Sequence, residues 1–240
     1  MTPPSPPTID PLVDWLAAPL GRALLDAERE VVGAAFDDVF GHHLLQLGYW
    51  GPPESFLPLA RLPARSLIVP PGYRGDCVSH AAELAIRTRS VEAVLLPHTL
   101  EFEPEPHAVL REVERVLTAE GHVLLLGFDP LGSWTLRHRL TRGGFPPGLQ
   151  QLFSCRRLRD WLRLLGFDII STRRCLWTLP FESAQHGVLA AGFERVGRGL
   201  DGRVGSVYLI KARKRVWTLT PVRQNRSRRR AVAGTVIEST

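Results

Sequence analysis

The sequence is poor in cysteine, lysine and long apolar runs, and each shortage removes a class of protein. Its three cysteines, Cys77, Cys155 and Cys175, are odd in number and far apart. That excludes a disulfide scaffold, offers no CxxC pair for a metal, and makes a reducing compartment, the cytoplasm, the expected location. No apolar run approaches the ~18–20 residues of a membrane-spanning helix, so no membrane association is expected. The first residues, rich in proline, have neither the basic nor the apolar region of a secretory leader.

The only lysines are Lys211 and Lys214, and neither follows a glycine, which excludes a P-loop. No G-x-S-x-G elbow surrounds Ser133. The glycines Gly197, Gly199 and Gly202 match G-x-G-x-x-G by letter, but a helical stretch precedes them and a strand follows, the reverse of the order that dinucleotide binding requires. They read as a turn. The histidines form no H-x-x-x-H pair, and adjacent His42 and His43 would face opposite sides of a strand. No metal site is expected.

What remains is a chain of 240 residues, 44% hydrophobic, with enough apolar content to bury a continuous core. Its net charge of +6 is misleading. Residues 211–230 hold nine basic residues and no acid, and beyond them only Glu238 is charged, which leaves residues 1–210 at −2. The basic character therefore belongs to the C-terminal end. The expected organisation is a proline-rich arm over residues 1–11, an α/β domain over 12–213 and a basic tail over 214–240. The tail is either a solvated extension or, through residues 211–230, a weak phosphate-directed contact with nucleic acid.

Apolar spacing predicts a helix over residues 20–40, from Leu24, Leu25, Val31, Val32, Ala35, Phe36 and Val39, with Asp26, Arg29 and Asp37 on its polar face and Gly41 as its stop. Strands are expected over 42–47, 66–69, 77–86 (weakly patterned) and 91–96. Pro106 can open a helix whose stripe is Val109, Leu110, Val113, Val116 and Leu117, closed by Gly121, with a buried-type strand over 122–128. Strand, helix, strand in that order is a βαβ unit with parallel pairing. Ser154 can cap a helix carrying Leu158, Trp161, Leu162 and Leu165, stopped by Gly166. A strand over 167–177, a helix near 184–196 and a strand over 206–213 complete an open, mostly parallel α/β sheet with helices on both faces.

The stretch from Ser90 to Arg139, with Val94-Leu95-Leu96-Pro97-His98-Thr99-Leu100-Glu101, then Leu110-Arg111-Glu112-Val113-Glu114-Arg115-Val116-Leu117 and Gly121, resembles the second half of a class I S-adenosylmethionine-dependent methyltransferase with a type-11 domain. Phe128-Asp129-Pro130, Trp134 and Leu158-Arg159-Asp160-Trp161-Leu162 resemble one divergent bacterial branch of that family, so the likeness spans most of residues 12–220. The resemblance implies seven strands, the last antiparallel, a transferase acting on a methyl acceptor that the sequence does not identify, and S-adenosylmethionine at the carboxyl ends of the strands. It places Gln46, Gly48, Tyr49, Trp50, Gly51, His80, Ala81 and Pro97 at the cofactor. His98 and Glu101 fall at the transferred group, with His98 as a base and Glu101 either orienting it or binding substrate.

Several of these positions depart from the family. Gln46 replaces the acid that ends the first strand, Trp50 and Pro52 replace two glycines of the loop, no acid follows Val69, and His80-Ala81 stands for an Asp-Ala pair. Trp50 at that point either lines the pocket or occludes it. Only residues 70–76 separate the second and third strands, too few for a parallel crossover with a helix. Either those strands are not parallel neighbours or this half of the site is reduced. Two functions remain: a methyltransferase, or an inactive methyltransferase-fold binding module. The second predicts that Trp50 fills the cleft.

Overall fold

The computed structural model describes residues 11–132, 134–135, 146–175 and 205–215. Seven strands form one sheet: β1 His43–Leu47, β2 Ala64–Val69, β3 Cys77–Val78, β4 Val91–Pro97, β5 Leu117–Phe128, β6 Phe167–Cys175 and β7 Val207–Lys214. Their order is β3-β2-β1-β4-β5-β7-β6. The first five pair in parallel, and β7 runs antiparallel to both β5 and β6. This is the expected open sheet with its antiparallel last strand.

Helices cover both faces. On one lie α1 (Pro11–Ala17) and α2 (Pro19–Phe36), packed through Leu24, Val32 and Phe36 against Leu44, Leu95, Leu124 and Leu209. On the other lie α4 (Pro106–Val116) and α5 (Cys155–Leu164), whose Val109, Val113, Leu158 and Leu162 meet Leu45, Val94, Leu125 and Ile210. A single turn, α3 (Thr99–Phe102), follows β4. The cap of α5 is as its sequence implies: the Ser154 hydroxyl accepts the Arg157 N–H at 3.3 Å, and Gly166 leaves the helix at φ +85°.

Four expectations need correction. Pro11 is not arm but the first residue of α1, where proline costs no hydrogen bond. Helix α2 ends at Phe36, and Gly41 has another duty. A Cβ there would lie 2.4 Å from that of Glu92, whose carboxylate accepts the N–H groups of His42 and His43 at 3.1 and 2.7 Å.

Helix α4 ends at Val116 rather than at Gly121. Leu117 closes the last helical hydrogen bond to Val113 and already pairs with Val91, so Gly121 lies inside β5, beyond an irregularity that includes Glu120 at φ +62°. The third strand is two residues long, not ten. It is nonetheless a parallel neighbour of β2, because the link over 70–76 folds straight back, with Asp76 accepting the Leu67 N–H at 2.7 Å and donating its own N–H to the Leu67 carbonyl at 2.9 Å. The crossover helix is absent from that link. A groove of about 390 Å³ lined by His43, Ser66, Asp76, Cys77 and Arg87 lies beside β1 and β2, remote from the carboxyl ends of β1 and β4.

Lys211 also changes status. It is buried in β7, where its ammonium donates to the Ala35 carbonyl at 2.9 Å and pairs with Asp38, which holds the Asp38 carboxyl below its usual range. Lys214 pairs with Glu114 at 2.9 Å and Arg215 with Asp168. The first cations of the basic segment thus belong to the sheet. The remainder of that segment, the expected helix near 184–196 and the glycines at 197–202 lie outside the described residues.

Candidate functional site

In an open α/β sheet, ligands bind beyond the carboxyl ends of the strands, where strand order reverses. Here that switch point lies between β1 and β4. The chain leaves β1 through Gly48, at φ +86°, whose N–H donates to the Ile68 carbonyl at 2.8 Å. An added Cβ would lie 2.9 Å from the Thr99 hydroxyl, which itself donates to the Leu47 carbonyl at 2.5 Å. Glycine is therefore required both by conformation and by space.

Tyr49 turns aside and stacks on Tyr73, with ring centroids 4.6 Å apart, at the place after β2 where the family carries an acid. Trp50 goes the other way. Fully buried, its ring spans the switch point, 4.3 Å from His98 and 5.9 Å from Phe102 after β4, and 6.4 Å from Trp15 of α1. Gly51 follows at φ +81°.

His98 leaves β4 in the left-handed region, at φ +56°. Its ring lies between Trp50 and Phe128, at 4.3 and 4.2 Å. Nδ1 bonds Glu101 Oε2 at 2.6 Å and Nε2 bonds Glu28 Oε1 at 2.8 Å. Each carboxylate is also held on its other oxygen: Glu28 Oε2 accepts the Trp50 indole N–H at 2.8 Å, and Glu101 Oε1 accepts the Phe128 backbone N–H at 2.7 Å. All three titratable groups are buried.

Burial alone would push the imidazole down, but the flanking carboxylates of Glu28 and Glu101 outweigh it and hold His98 at about 9. Burial raises Glu101, against the pull of His98. At neutral pH His98 is thus an imidazolium with both N–H groups donated, sandwiched by two aromatic faces that favour a cation. A base must have an empty nitrogen, and this ring offers none.

The structure therefore brings together Trp50, His98 and Glu101, and sets Gly48 against Thr99. The other candidates lie apart. Pro97 is the buried last residue of β4, paired with Leu126. His80 sits in a turn after β3, where it partly counters the upward push of burial on Glu103. Ala81 packs into the layer beneath α4, on the face opposite Trp50. Gln46, beside Gly48 at the end of β1, is fully buried, and neither atom of its carboxamide has a hydrogen-bond partner among the described residues.

The residue that sequence reasoning missed is Glu28. Its signal was present: on α2 it stands four residues from both Leu24 and Val32, an acid in the middle of an apolar stripe. An acid at such a position is fully buried and must be paired.

No group of His, Cys, Asp and Glu suited to a metal occurs among the described residues, and no helix among them is long and apolar enough to cross a membrane.

Comparison with known proteins adds a partial domain match and a fold. Residues 60–125 match the methyltransferase domain family. The fold is that of a SAM-dependent methyltransferase from Aquifex aeolicus (14% identity, TM-score 0.54, 86% of this chain and 99% of that one) and one from Archaeoglobus fulgidus (17%, 0.54, 81% and 98%). The chain thus has the fold of those methyltransferases, with the methyltransferase-domain match confined to residues 60–125, inside the stretch where the sequence resembles that family.

Among curated proteins it is similar to the uncharacterized protein YafS of Escherichia coli, 28% identical over 230 residues that cover 92% of this chain and 90% of that one. It is also similar to the uncharacterized protein Rv2003c of Mycobacterium tuberculosis, 30% identical over 185 residues, 74% of this chain. The chain spans 64% of the length of that mycobacterial relative.

S-adenosylmethionine is the cofactor named for both of those solved structures. The residues at the switch point fit it in two respects: Gly48 leaves backbone open to close approach, and the Gln46 carboxamide offers a buried donor and acceptor that the described residues leave unsatisfied. The Trp50 ring is the obstacle. A cavity that Phe102, the neighbour of that ring, lines together with Leu12, Tyr73 and Gly148 measures about 140 Å³, against ~300 Å³ at the low end for small-molecule sites.

Proposed function

We propose that the protein transfers the methyl group of S-adenosylmethionine to an acceptor, with the cofactor held at the carboxyl ends of β1 and β4 by Gln46, Gly48 and Gly51 once the Trp50 ring has turned out of the crevice. The observation that carries this reading is the Gln46 carboxamide, an unsatisfied polar group in the interior, next to Gly48, at the switch point of a methyltransferase sheet. Such a group costs about 1–3 kcal/mol unless something completes it. Bound cofactor supplies an electrophilic methyl group, and the chain's contribution is to align the acceptor and exclude water. His98 and Glu101 act here as positioning residues that fix Glu28 and Trp50. Three free thiols accord with a cytoplasmic protein.

Titration calorimetry tests this directly. S-adenosylmethionine should give measurable heat and a rise in melting temperature, and the absence of both at millimolar ligand overturns the proposal.

A second reading, a methyltransferase-fold binding module without turnover, is favoured by the fully buried Trp50 and its bond to Glu28. It predicts no such heat. Nucleic-acid association through residues 211–230 loses support from the pairing of Lys211, Lys214 and Arg215 within the folded domain. Removal of residues 216–240 should abolish any retention on DNA at low salt, and unchanged retention disposes of a role for those residues.

A further inference from the structure

The geometry points to Glu28 as the carboxylate that receives the cationic end of S-adenosylmethionine, its Oε2 exchanging the Trp50 N–H for the ligand's positive charge. The inference rests on the reading above.

Neither β1 nor β2 ends in an acid: Gln46 and Val69-Pro70 stand there. The acid that reaches the switch point comes instead from helix α2. Of the carboxylate oxygens in the cluster, Glu101 Oε1 is held by a backbone N–H of β5, and Glu101 Oε2 and Glu28 Oε1 by the His98 ring, which is itself packed between two aromatic rings. Only Glu28 Oε2 takes its hydrogen from a side chain lying across the crevice, the 2.8 Å bond from Trp50.

That side chain is also the one a ligand must displace, because its fully buried ring lies between His98 and Phe102, and the cavity that Phe102 lines holds about 140 Å³. Gly48 and Gly51, both at positive φ, bracket Tyr49 and Trp50 and give this short segment backbone latitude at each end.

When the indole leaves, Glu28 Oε2 loses the one donor it has among the described residues, in a water-poor interior, a costly state unless another donor arrives. The cluster sets two carboxyl groups against a single imidazole ring. A cation is therefore the group that completes it. The ammonium and sulfonium of S-adenosylmethionine are the two cations the ligand offers, and adenosine offers neither.

The experiment titrates S-adenosylmethionine and, separately, adenosine into the full-length protein and its Trp50→Phe, Glu28→Gln and Glu28→Asp variants, followed by calorimetry and tryptophan emission. Trp50→Phe keeps the ring and removes the N–H that ties it down, so S-adenosylmethionine should bind about tenfold more tightly. Glu28→Gln keeps the shape and removes the charge. It should weaken S-adenosylmethionine at least tenfold and leave adenosine unchanged, and Glu28→Asp should recover part of the loss. The emission difference between wild type and Trp50→Phe isolates one of the six tryptophans, and it should move to the red on binding as the indole reaches water.

Equal S-adenosylmethionine affinity in wild type and Glu28→Gln, or a Trp50 signal that does not move while ligand binds, overturns the role of Glu28 alone. Binding by none of the variants overturns the cofactor reading as well.

Discussion

His98 and Glu101 meet at 2.6 Å across a single turn because His98 takes the left-handed conformation, at φ +56°. That geometry reverses β4 into α3 and sets Glu101 Oε2 on Nδ1 of the same ring whose Nε2 faces Glu28. A non-glycine residue in this region is uncommon, and its cost is borne where surrounding bonds over-determine it. The consequence is a buried cation between two buried anions.

The first prediction is a pH dependence of stability. His98 stands at about 9 in the folded protein, above the 6.5 of an ordinary histidine. A group raised in this way contributes its full stabilisation below pH 6.5 and loses it as pH rises from 6.5 through 9. Glu101, raised by burial from 4.5, acts in the same sense at acid pH. Urea midpoints should therefore fall between pH 6.5 and 9.5, by an amount on the order of 3 kcal/mol, and a flat profile over that window contradicts the charged state assigned to His98.

Much of the frame behind this cluster was legible. The βαβ unit from Val91 to Phe128 was readable because its strand and helix patterns are strictly local, and Ser154 announced α5 by its own side chain. Boundaries that depend on tertiary contact were not. Gly121 has the residue type of a helix stop, yet Leu117 is drawn into β5 by its pairing with Val91. The third strand shrank to Cys77–Val78 because only residues 70–76 precede it.

The site was half legible. Trp50, His98 and Glu101 lie in the segments that follow β1 and β4, whose place in the sheet the resemblance supplied. Glu28 is 70 residues from His98, and nothing local tells an acid on an apolar stripe what it will face. Its partner set decided the chemistry, turning His98 from an expected base into a cation.

Replacement of that cation is the second prediction. In His98→Gln the two carboxylates face one another without positive charge in the interior. Breaking a buried ionic cluster by removal of one partner costs roughly 3–5 kcal/mol. Because His98 contributes its full stabilisation below pH 6.5 and progressively less above it, the loss should be larger at pH 5 than at pH 8. Chemical denaturation at pH 5 and pH 8 checks both statements, and equal losses at the two values would count against the ionic description.

Gly48→Ala provides the third. The new methyl group would stand 2.9 Å from the Thr99 hydroxyl at a φ of +86° that alanine rarely adopts. Both effects destabilise, together by about 1–3 kcal/mol. Gly33→Ala is the control, since nothing lies within 4 Å of a Cβ there and α2 favours alanine. It should be neutral or stabilising by up to ~1 kcal/mol. Melting temperatures of the two variants should move in opposite directions.

The last prediction separates stability from binding at one residue. Gln46 holds two polar atoms in the interior with no partner among the described residues, on a strand whose neighbours Leu45 and Leu47 are fully packed. Gln46→Leu removes those atoms at similar volume, and should stabilise the protein by about 1–3 kcal/mol. A residue kept only for packing would show that gain and nothing else. Under the cofactor reading the same change strips away hydrogen bonds reserved for ligand, so S-adenosylmethionine affinity should fall while the melting temperature rises, the opposed movement expected where a site is held in a strained or unsatisfied state for function. Calorimetric titration beside a thermal melt of Gln46→Leu resolves the two. A more stable protein with undiminished affinity would show that this carboxamide plays no part in holding the ligand.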